Sequence, residues 1–415
     1  MSYKKVVSVL LLFVTLILFS FNVSATNMPE ISSGAAILIE NSTSETLFKK
    51  NSNEHLEPAS ITKILTAILT IENTNLNDIV TVPEAAVSSI PPGYSVAALL
   101  PNEQLTVEQL LKVLMVHSAN DAANVLAFHI DGSIENFASR MNAKMDELGL
   151  KDSHFTNPSG MHDVNHYSSA HDIAFLMQYC VKNPTFRKYS GLKSCKIPAT
   201  NLSGERNFTN TNSMLIETGS NNQYYYPYIT CTKTGFTSQA KYCLVSYASK
   251  DNMDCICVVL AAETSELRFA DTKNLFEYGF SNFSFKDIAV KGDVITQVTV
   301  SNGTEDTKNL DLVLADNLRV LTNNNLSADS ISPQILLDNI PSAPIALNKV
   351  LGTATYVIND KSYSVDLIAS HNVEVSTSRT YFIQIALLVL VVVILFILLF
   401  WNKGKKKKEN IYKII

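Results

Sequence analysis

A long apolar segment near the C-terminus, Tyr381 to Trp401, constrains the architecture of this chain more than any other sequence feature. Its one strongly polar residue is Gln384, and as a helix it has the length needed to cross the hydrocarbon core of a bilayer. Aromatic rings at both ends favour the two interfaces, and a lysine cluster follows at 403 and 405–408. Because such clusters stay on the cytoplasmic side, the sequence predicts a single-pass transmembrane helix at 381–401 and a basic cytoplasmic tail at 402–415.

The N-terminus carries a second targeting signal. Lys4 and Lys5 precede an apolar run from Val6 to Phe21, and Val23-Ser24-Ala25 offers the small residues that cleavage requires. We therefore expect a signal peptide at 1–25, with a retained N-terminal anchor as the alternative. The predicted location is the cell membrane, with the bulk of the chain outside the cytoplasm.

The net charge of −5 conceals an acidic exported part. Nine basic residues and Glu409 lie outside it, so that 24 basic and 37 acidic residues remain, a net charge of −13. Nucleic-acid binding requires basic patches, so this composition argues against a nucleic-acid partner.

Six cysteines fall between residues 180 and 257. Their spacings match no metal-ligand pattern, and Cys255 and Cys257 alternate along a predicted strand. We expect buried free thiols, with one or two disulfides as the alternative in an exported protein.

Two patterns of hydrophobic spacing follow one another along the exported part. Residues 26–282 combine helical and strand patterns, which predicts one α/β domain whose sheet takes strands from both ends of the segment. Its predicted strands are Ala35–Glu40, Glu45–Lys49, Ile229–Thr234, Tyr242–Ala248 and Asp254–Ala261. Its predicted helices are Ser60–Thr70, one that opens at a Thr106/Gln109 capping box and ends near Met115, Asp121–Ile130, Ile134–Leu148 and Asp271–Tyr278. Short alternating runs at 283–370 predict a smaller all-β domain, and a polar linker is expected at 371–380.

Ser60 and Lys63 are candidates for nucleophilic catalysis. On a helix, residues three apart face the same way, and the first helical turn favours developing negative charge. A serine hydroxyl becomes a strong nucleophile when a base removes its proton, and a lysine with a lowered pKa can be that base. Three other Ser-x-x-Lys matches, which start at Ser2, Ser190 and Ser238, lack the preceding Pro-Ala and the amphipathic helix.

Two further motifs supply complementary chemistry. Ser118-Ala119-Asn120 stands between two predicted helices, where its hydroxyl can relay protons and its amide can hold a lysine or a substrate carbonyl. Lys233-Thr234-Gly235 ends a strand, and its ammonium with the hydroxyls of Thr234 and Thr237 predicts a carboxylate receiver. Gly235 is expected to leave room for a substrate along that edge.

The order of these motifs is that of β-lactamases and penicillin-binding proteins. The sequence resembles the low-molecular-mass penicillin-binding proteins, the D-alanyl-D-alanine carboxypeptidases of serine peptidase family S11, from about Ala35 to Ser370. The matching stretches are Pro58–Lys63, His117–Ala122, Phe155–Met161, Ser169–Asp172 and Lys233–Thr237. The resemblance implies a penicillin-binding-protein/β-lactamase-like transpeptidase fold, an α/β fold with helices flanking an antiparallel sheet, followed by a small all-β domain.

The resemblance also implies a role for each matching residue. Ser60 would form the acyl-enzyme with Lys63 as proton acceptor, Ser118 would pass the proton to the leaving D-alanine, and Asn120 would orient Lys63 and the substrate. Lys233, Thr234 and Thr237 would bind the terminal carboxylate. The N–H groups of Ser60 and Phe236 would form the oxyanion hole. No cofactor or metal is implied; the expected partners are peptidoglycan stem peptides and, as covalent inhibitors, β-lactam antibiotics.

Several other residues have more than one interpretation. Ala119 and Lys241 stand where many relatives have glycine, and Lys241 is expected to narrow the cleft or touch substrate. His117 is predicted to be a partly buried structural histidine, not a triad base. The resemblance implies that the stretch with three histidines and two aspartates packs beneath the site, and a metal cluster is its weaker interpretation: His162, Asp163, His166, His171 and Asp172. Tyr224, Tyr225 and Tyr226 are predicted to form a loop near the cleft, with a sugar platform as the weaker interpretation.

Two other functions remain as alternatives. A β-lactamase of class A would require a glutamate that activates the deacylating water, and only Glu217 has a suitable asparagine four residues on, in a poor position. A non-catalytic penicillin-binding scaffold would have no chemical need for the intact motifs. The hypothesis favoured by the sequence is removal of the terminal D-alanine from peptidoglycan pentapeptides, which limits cross-linking.

Overall fold

The computed structural model describes residues 28–217 and 223–411, so the predicted signal peptide lies outside the described residues. The chain divides into two compact units, one ending at Asn282 and the other beginning at Phe283.

The first unit contains the predicted helices and strands in the predicted order, with further short strands and helices between them that the sequence did not predict. Its strands are β1 Ala35–Glu40, β2 Thr46–Lys50, β3 Ile79–Thr81, β4 Gln104–Thr106, β5 Ser194–Ile197, β6 Arg206–Thr209, β7 Ile229–Thr237, β8 Lys241–Lys250 and β9 Met253–Ala262. Its helices are α1 Lys63–Asn73, α2 Glu84–Ser88, α3 Val107–Val116, α4 Asn120–Asp131, α5 Ile134–Glu147, α6 Ala170–Cys180, α7 Pro184–Ser190 and α8 Ser265–Asn282.

The main sheet has the order β2-β1-β9-β8-β7, and every pairing in it is antiparallel. The two N-terminal strands therefore pair with the three strands that precede α8, as the sequence predicted. All six residues of β1 are buried, so this strand lies in the centre of the core. The capping box at the start of α3 is also confirmed, since Thr106 and Gln109 exchange side-chain-to-backbone hydrogen bonds.

The helix that carries Lys63 differs from its prediction in two ways. The chain first makes a 3-10 turn at Ala59–Thr62, and α1 begins only at Lys63, so Ser60 precedes the α-helix instead of starting it. Moreover, every residue from Lys63 to Thr70 is buried, not only the apolar stripe. This part of the helix is enclosed because α3, α4, α5, α6 and α7 all contact α1.

The second unit is built from antiparallel strands and one long helix. They are β10 Phe283–Ala289, β11 Val294–Thr299, β12 Asn309–Leu314, β13 Leu318–Asn323, β14 Gln334–Leu337, β15 Val350–Ile358, β16 Lys361–Ala369 and α9 Thr377–Ile411. Five strands form a sheet of order β11-β12-β16-β15-β14, and β10 pairs with β13. The alternating leucines Leu310, Leu312 and Leu314 are all fully buried, in accordance with the strand pattern.

The β packing extends beyond residue 370. Val373 pairs with Ile345 and is 1% exposed in the core of this unit, and the backbone of Ser376 donates to Asn302. Part of the segment that the sequence predicts to be a linker therefore belongs to the β unit. In α9, the section Tyr381–Trp401 has a mean hydropathy of 3.4 and is long and apolar enough to cross a membrane.

Candidate active site

The three sequence motifs meet at one cavity of about 590 Å3. Its wall includes residues from each motif: Ser60, Ser118, Asn120, Thr234, Gly235, Phe236 and Thr237. Lys63 and Lys233 lie behind this wall, with exposed fractions of 0% and 1%. The fold thus brings together the eight predicted site residues, which come from the 3-10 turn and the first residue of α1, from the loop before α4 and its first residue, and from β7.

Two glycines allow the backbone to approach Ser60 closely. A Cβ at Gly235 would lie 2.7 Å from the carbonyl oxygen of Pro58 and 3.2 Å from the amide nitrogen of Ser60. A Cβ at Gly160, where φ is +77°, would lie 1.9 Å from the carbonyl oxygen of Ala59. The space at Gly235 is therefore filled by the serine turn, which corrects the expectation that it serves a substrate. Ala59 itself has φ +47°, a strained backbone held by this packing.

Lys63 is bonded to three acceptors in the interior. Its Nζ lies 2.8 Å from Ser60 Oγ, 2.8 Å from Asn120 Oδ1 and 2.5 Å from the carbonyl oxygen of Ser159. Burial lowers the pKa of Lys63 well below its usual value, and the charge of Lys233 lowers it further. Burial is the larger cause of the lowered pKa, and the like charge of Lys233 is the smaller one. Ser159 was not predicted, because a backbone acceptor leaves no trace in residue type.

Asn120 and Ser118 are held by the loop that forms the opposite wall. The backbone N–H and side-chain Nδ2 of Asn120 both donate to the carbonyl oxygen of Ser95, at 2.8 and 2.9 Å. Ser95 Oγ in turn donates to the carbonyl oxygen of His117. Ser118 has φ +62° between α3 and α4, and it lines the cavity. Sequence reasoning missed Ser95, since a backbone acceptor in a loop 25 residues from Asn120 carries no motif.

Lys233 points inward, toward Ser118. Its Nζ donates to Ser118 Oγ and to the carbonyl oxygen of Thr234, both at 2.9 Å. Burial, followed by the charge of Arg268, lowers the pKa of Lys233 to about 7. The hydrogen bond from Lys233 to Ser118 links the second and third motifs. Lys233 does not line the cavity, so of the three residues predicted to bind a carboxylate only Thr234 and Thr237 are on its wall.

Arg268 also lines the cavity and was missed in the sequence. It is the fourth residue of α8, where the helix dipole disfavours a cation, and this unfavourable placement is the signal that could have singled it out. Burial lowers the pKa of Arg268 to about 10, so its guanidinium stays charged at neutral pH. Its position beside Thr234 and Thr237 makes it a strong candidate to receive an anionic group.

The structure gives the histidines structural contacts. His166 is buried and its Nε2 lies 2.9 Å from Thr62 Oγ1, while His162 pairs with Glu57 and His171 with Asp172. In the described ranges no group of three or more His, Cys, Asp or Glu side chains converges on a metal position. His117 is partly buried and its ring contacts Phe208, as predicted.

The expectation that Lys241 narrows the cleft is wrong. Lys241 does not line the cavity; it pairs with Glu263 at 2.5 Å. Its φ of +57° explains why glycine suits this turn. The three tyrosines at 224–226 are not part of the cavity wall, but Tyr224 contacts Phe269, which packs on Arg268 of that wall, and Tyr226 is buried against Phe276. The cysteines are free thiols, as expected, and all but Cys195 are buried.

Comparisons with known proteins identify the family of this chain. A family model described as D-alanyl-D-alanine carboxypeptidase, Peptidase_S11, matches residues 22–264. The chain belongs to this family. It is therefore a serine-type hydrolase. A second family model, described as penicillin-binding protein 5, C-terminal domain, matches residues 283–375.

Individual S11 relatives cover most of the chain. It is 34% identical over 324 residues to D-alanyl-D-alanine carboxypeptidase DacF of Bacillus subtilis. The matched segment covers 77% of this chain and 80% of the relative. It is 30% identical over 382 residues to DacA of Haemophilus influenzae, with 86% and 89% covered. The crystal structure of penicillin-binding protein 5 from Haemophilus influenzae superposes with a TM-score of 0.64 at 28% identity, covering 84% of this chain and 99% of that one. The fold is thus the penicillin-binding-protein α/β fold with a C-terminal all-β domain.

Proposed function

We propose that this enzyme removes the terminal D-alanine from peptidoglycan stem pentapeptides through an acyl-enzyme on Ser60. The observation that carries the proposal is Lys63, a buried amine with a lowered pKa bonded to Ser60 Oγ. When neutral, it donates its two N–H bonds to Asn120 and Ser159, and its lone pair is left to accept the Ser60 hydroxyl proton.

Acylation then follows from the positions of the motifs. Ser60 Oγ attacks the carbonyl carbon of the penultimate D-alanine, and its proton passes to Lys63 Nζ. The oxyanion accepts hydrogen bonds from the N–H groups of Ser60 and Phe236, a pairing supported by the close approach of Gly235 to the serine turn. As the C–N bond breaks, Ser118 Oγ gives its proton to the leaving amine and takes up the proton that Lys63 received, so that Lys63 is neutral again.

Deacylation regenerates the serine. A water molecule attacks the carbonyl carbon of the Ser60 ester and gives a proton to neutral Lys63, which passes it to Ser60 Oγ as the ester bond breaks and the shortened peptide leaves. Thr234, Thr237 and Arg268 receive the terminal carboxylate before cleavage, because they place two hydroxyls and a charged guanidinium on one wall. Asn120 holds Lys63 in register throughout.

The same geometry supports slow turnover of β-lactams. Among the described residues of the cavity wall there is no glutamate, so no carboxylate stands ready to activate a water as in class A β-lactamases. We propose that penicillin forms a long-lived ester on Ser60. We also propose that α9 anchors the enzyme in the cell membrane with the catalytic unit outside the cytoplasm, where stem peptides are trimmed and cross-linking is limited.

The test is release of D-alanine from diacetyl-Lys-D-Ala-D-Ala by the wild type and by Ser60→Ala. We expect release by the wild type only, together with a penicillin adduct of one molar equivalent at Ser60 by mass spectrometry. Equal release by both proteins would refute the proposal. Fast nitrocefin turnover in place of a stable adduct would identify a β-lactamase.

A further inference from the structure

Arg268 is a buried cation that has no acidic partner among the described residues. Its Nη1 donates to the carbonyl oxygen of Gly235 at 3.3 Å and its Nη2 to Ser265 Oγ at 3.2 Å. Its Nε is buried without a hydrogen-bond partner, and the whole residue is 7% exposed. Buried guanidinium groups are usually held by carboxylates, so another interaction must orient this one.

Aromatic rings contact the guanidinium in place of an acid. Its Cζ lies 5.3 Å from the ring centre of Tyr242 and 4.7 Å from that of Phe269. Phe236 packs on Tyr242 with ring centres 4.4 Å apart and planes inclined by 32°. These four residues, Phe236, Tyr242, Arg268 and Phe269, form a continuous series of flat groups, which we call the aromatic stack.

The sheet register fixes the outer part of this stack. Phe236 in β7 is the direct cross-strand partner of Tyr242 in β8. Arg268 and Phe269 are consecutive residues near the start of α8. The cavity is lined by Phe236, Tyr242 and Arg268, and Phe236 stays 52% exposed at its rim. Exposure of a large aromatic side chain beside a polar cavity is unfavourable, and we take covering the ring of Tyr242 to be the role of Phe236.

An aromatic partner has a consequence that a carboxylate partner would not have. A carboxylate partner would balance the positive charge of the guanidinium and occupy two of its N–H donors. A ring face fixes the orientation of the guanidinium plane but carries no negative charge to balance it. The charge of Arg268 indeed reaches Lys233, whose pKa it helps to lower. The cation is thus kept oriented and available.

We infer that Tyr242, covered by Phe236, is a positioning residue that holds the Arg268 guanidinium ready for the terminal carboxylate of the substrate. This inference rests on the proposed function. It predicts that discrimination in favour of a free carboxylate depends on the ring at position 242, although that ring makes no bond to the carboxylate.

Two substrates that differ only at the C-terminus test it: diacetyl-Lys-D-Ala-D-Ala and its C-terminal amide. The readout is the ratio of kcat/KM for the acid to kcat/KM for the amide, measured with the full-length enzyme in detergent. Arg268→Leu should abolish the preference for the acid. Tyr242→Leu should lower the ratio about fivefold or more, mainly through KM for the acid, and Tyr242→Phe should retain it within about twofold, since the ring face is preserved.

A matched control removes another cation–aromatic contact of the same unit. Lys250 lies 5.0 Å from the ring centre of Tyr228, away from the cavity, so Tyr228→Leu should leave the ratio unchanged. If Tyr242→Leu lowers kcat/KM for both substrates equally, Tyr242 only supports the fold and the inference is wrong. Absence of D-alanine release by the wild type would instead overturn the proposed function. Phe236→Leu, which keeps bulk at the rim, should give a smaller fall in the ratio than Tyr242→Leu.

Discussion

The catalytic unit and the β unit bury different kinds of side chain. In the β unit the core is apolar, and Thr322 is the one buried polar residue among its described side chains. The catalytic unit buries three basic side chains, those of Lys63, Lys233 and Arg268, around its cavity. The β unit is therefore organised by strand alternation alone, whereas the catalytic unit combines a large apolar core with charges that do not favour burial.

This difference shows how the catalytic unit lowers the cost of its charges. Burying an unpaired ammonium is strongly unfavourable, and the amine can escape much of that cost by losing its proton. The pKa values of Lys63 and Lys233 are both lowered by burial, and hydrogen bonds to Asn120, Ser118 and backbone carbonyls satisfy the amines. The same burial that carries a structural cost therefore lowers the pKa of Lys63, so that this amine can lose its proton and act as a base.

The largest expected effect comes from removing the buried amine itself. Lys63→Met should lower kcat/KM for D-alanine release by about 10²- to 10⁴-fold, the usual contribution of a general base. Lys241→Met is the matched control, because this lysine is exposed and paired with Glu263 outside the cavity. The control should stay within about twofold of wild type. Full activity in Lys63→Met would contradict the prediction that the buried lysine, unlike Lys241, is needed for catalysis.

Two glycines with positive φ, one at the site and one in the β unit, allow the effect of backbone strain on activity to be compared with its effect on stability alone. Gly160 and Gly292 have φ values of +77° and +90°, but only at Gly160 would a Cβ meet other atoms within 4 Å. Either alanine substitution should cost about 1–2 kcal/mol for the left-handed backbone. Gly160→Ala should additionally displace Ala59 and lower kcat/KM about 100-fold, since misplacement of about 1 Å has that effect.

The comparison is measured by urea unfolding and D-alanine release on both variants. Gly292→Ala, in the β unit, should retain kcat/KM within about twofold. Equal losses of activity in the two variants would show that the serine turn does not depend on the close approach at Gly160.

The smallest expected effect is a shift in pH dependence. Lys63 must be neutral to accept a proton, so kcat/KM should rise with pH through its lowered pKa. The charge of Lys233 helps to lower that pKa, so Lys233→Met should move the acid limb of the profile to higher pH. Lys308→Met, a change at a partly exposed lysine of the β unit paired with Glu305, should leave the limb in place. An acid limb that stays fixed or moves to lower pH in Lys233→Met would contradict the prediction that the charge of Lys233 lowers the pKa of Lys63.

Much of the fold follows from local patterns. The capping box at Thr106, the alternation at Leu310–Leu314 and the apolar segment 381–401 each correspond to the element that the structure contains. These features depend on periodicity and on neighbours close in sequence, so the sequence is sufficient to predict them. The enclosure of α1 was not predicted, because an apolar stripe does not reveal what packs on the other faces of a helix.

For the site, the sequence by itself determined the residue types and their order: Ser60 with Lys63, then Ser118 with Asn120, then Lys233. Their chemistry is a property of the side chains and needs no coordinates to be recognised. Only the tertiary structure decided that Lys233 points to Ser118, that Gly235 makes room for the serine turn, and that Arg268 joins the wall. Each of these depends on contacts between segments far apart in the chain, whose distances and burial arise only when the sheet and helices close around the cavity.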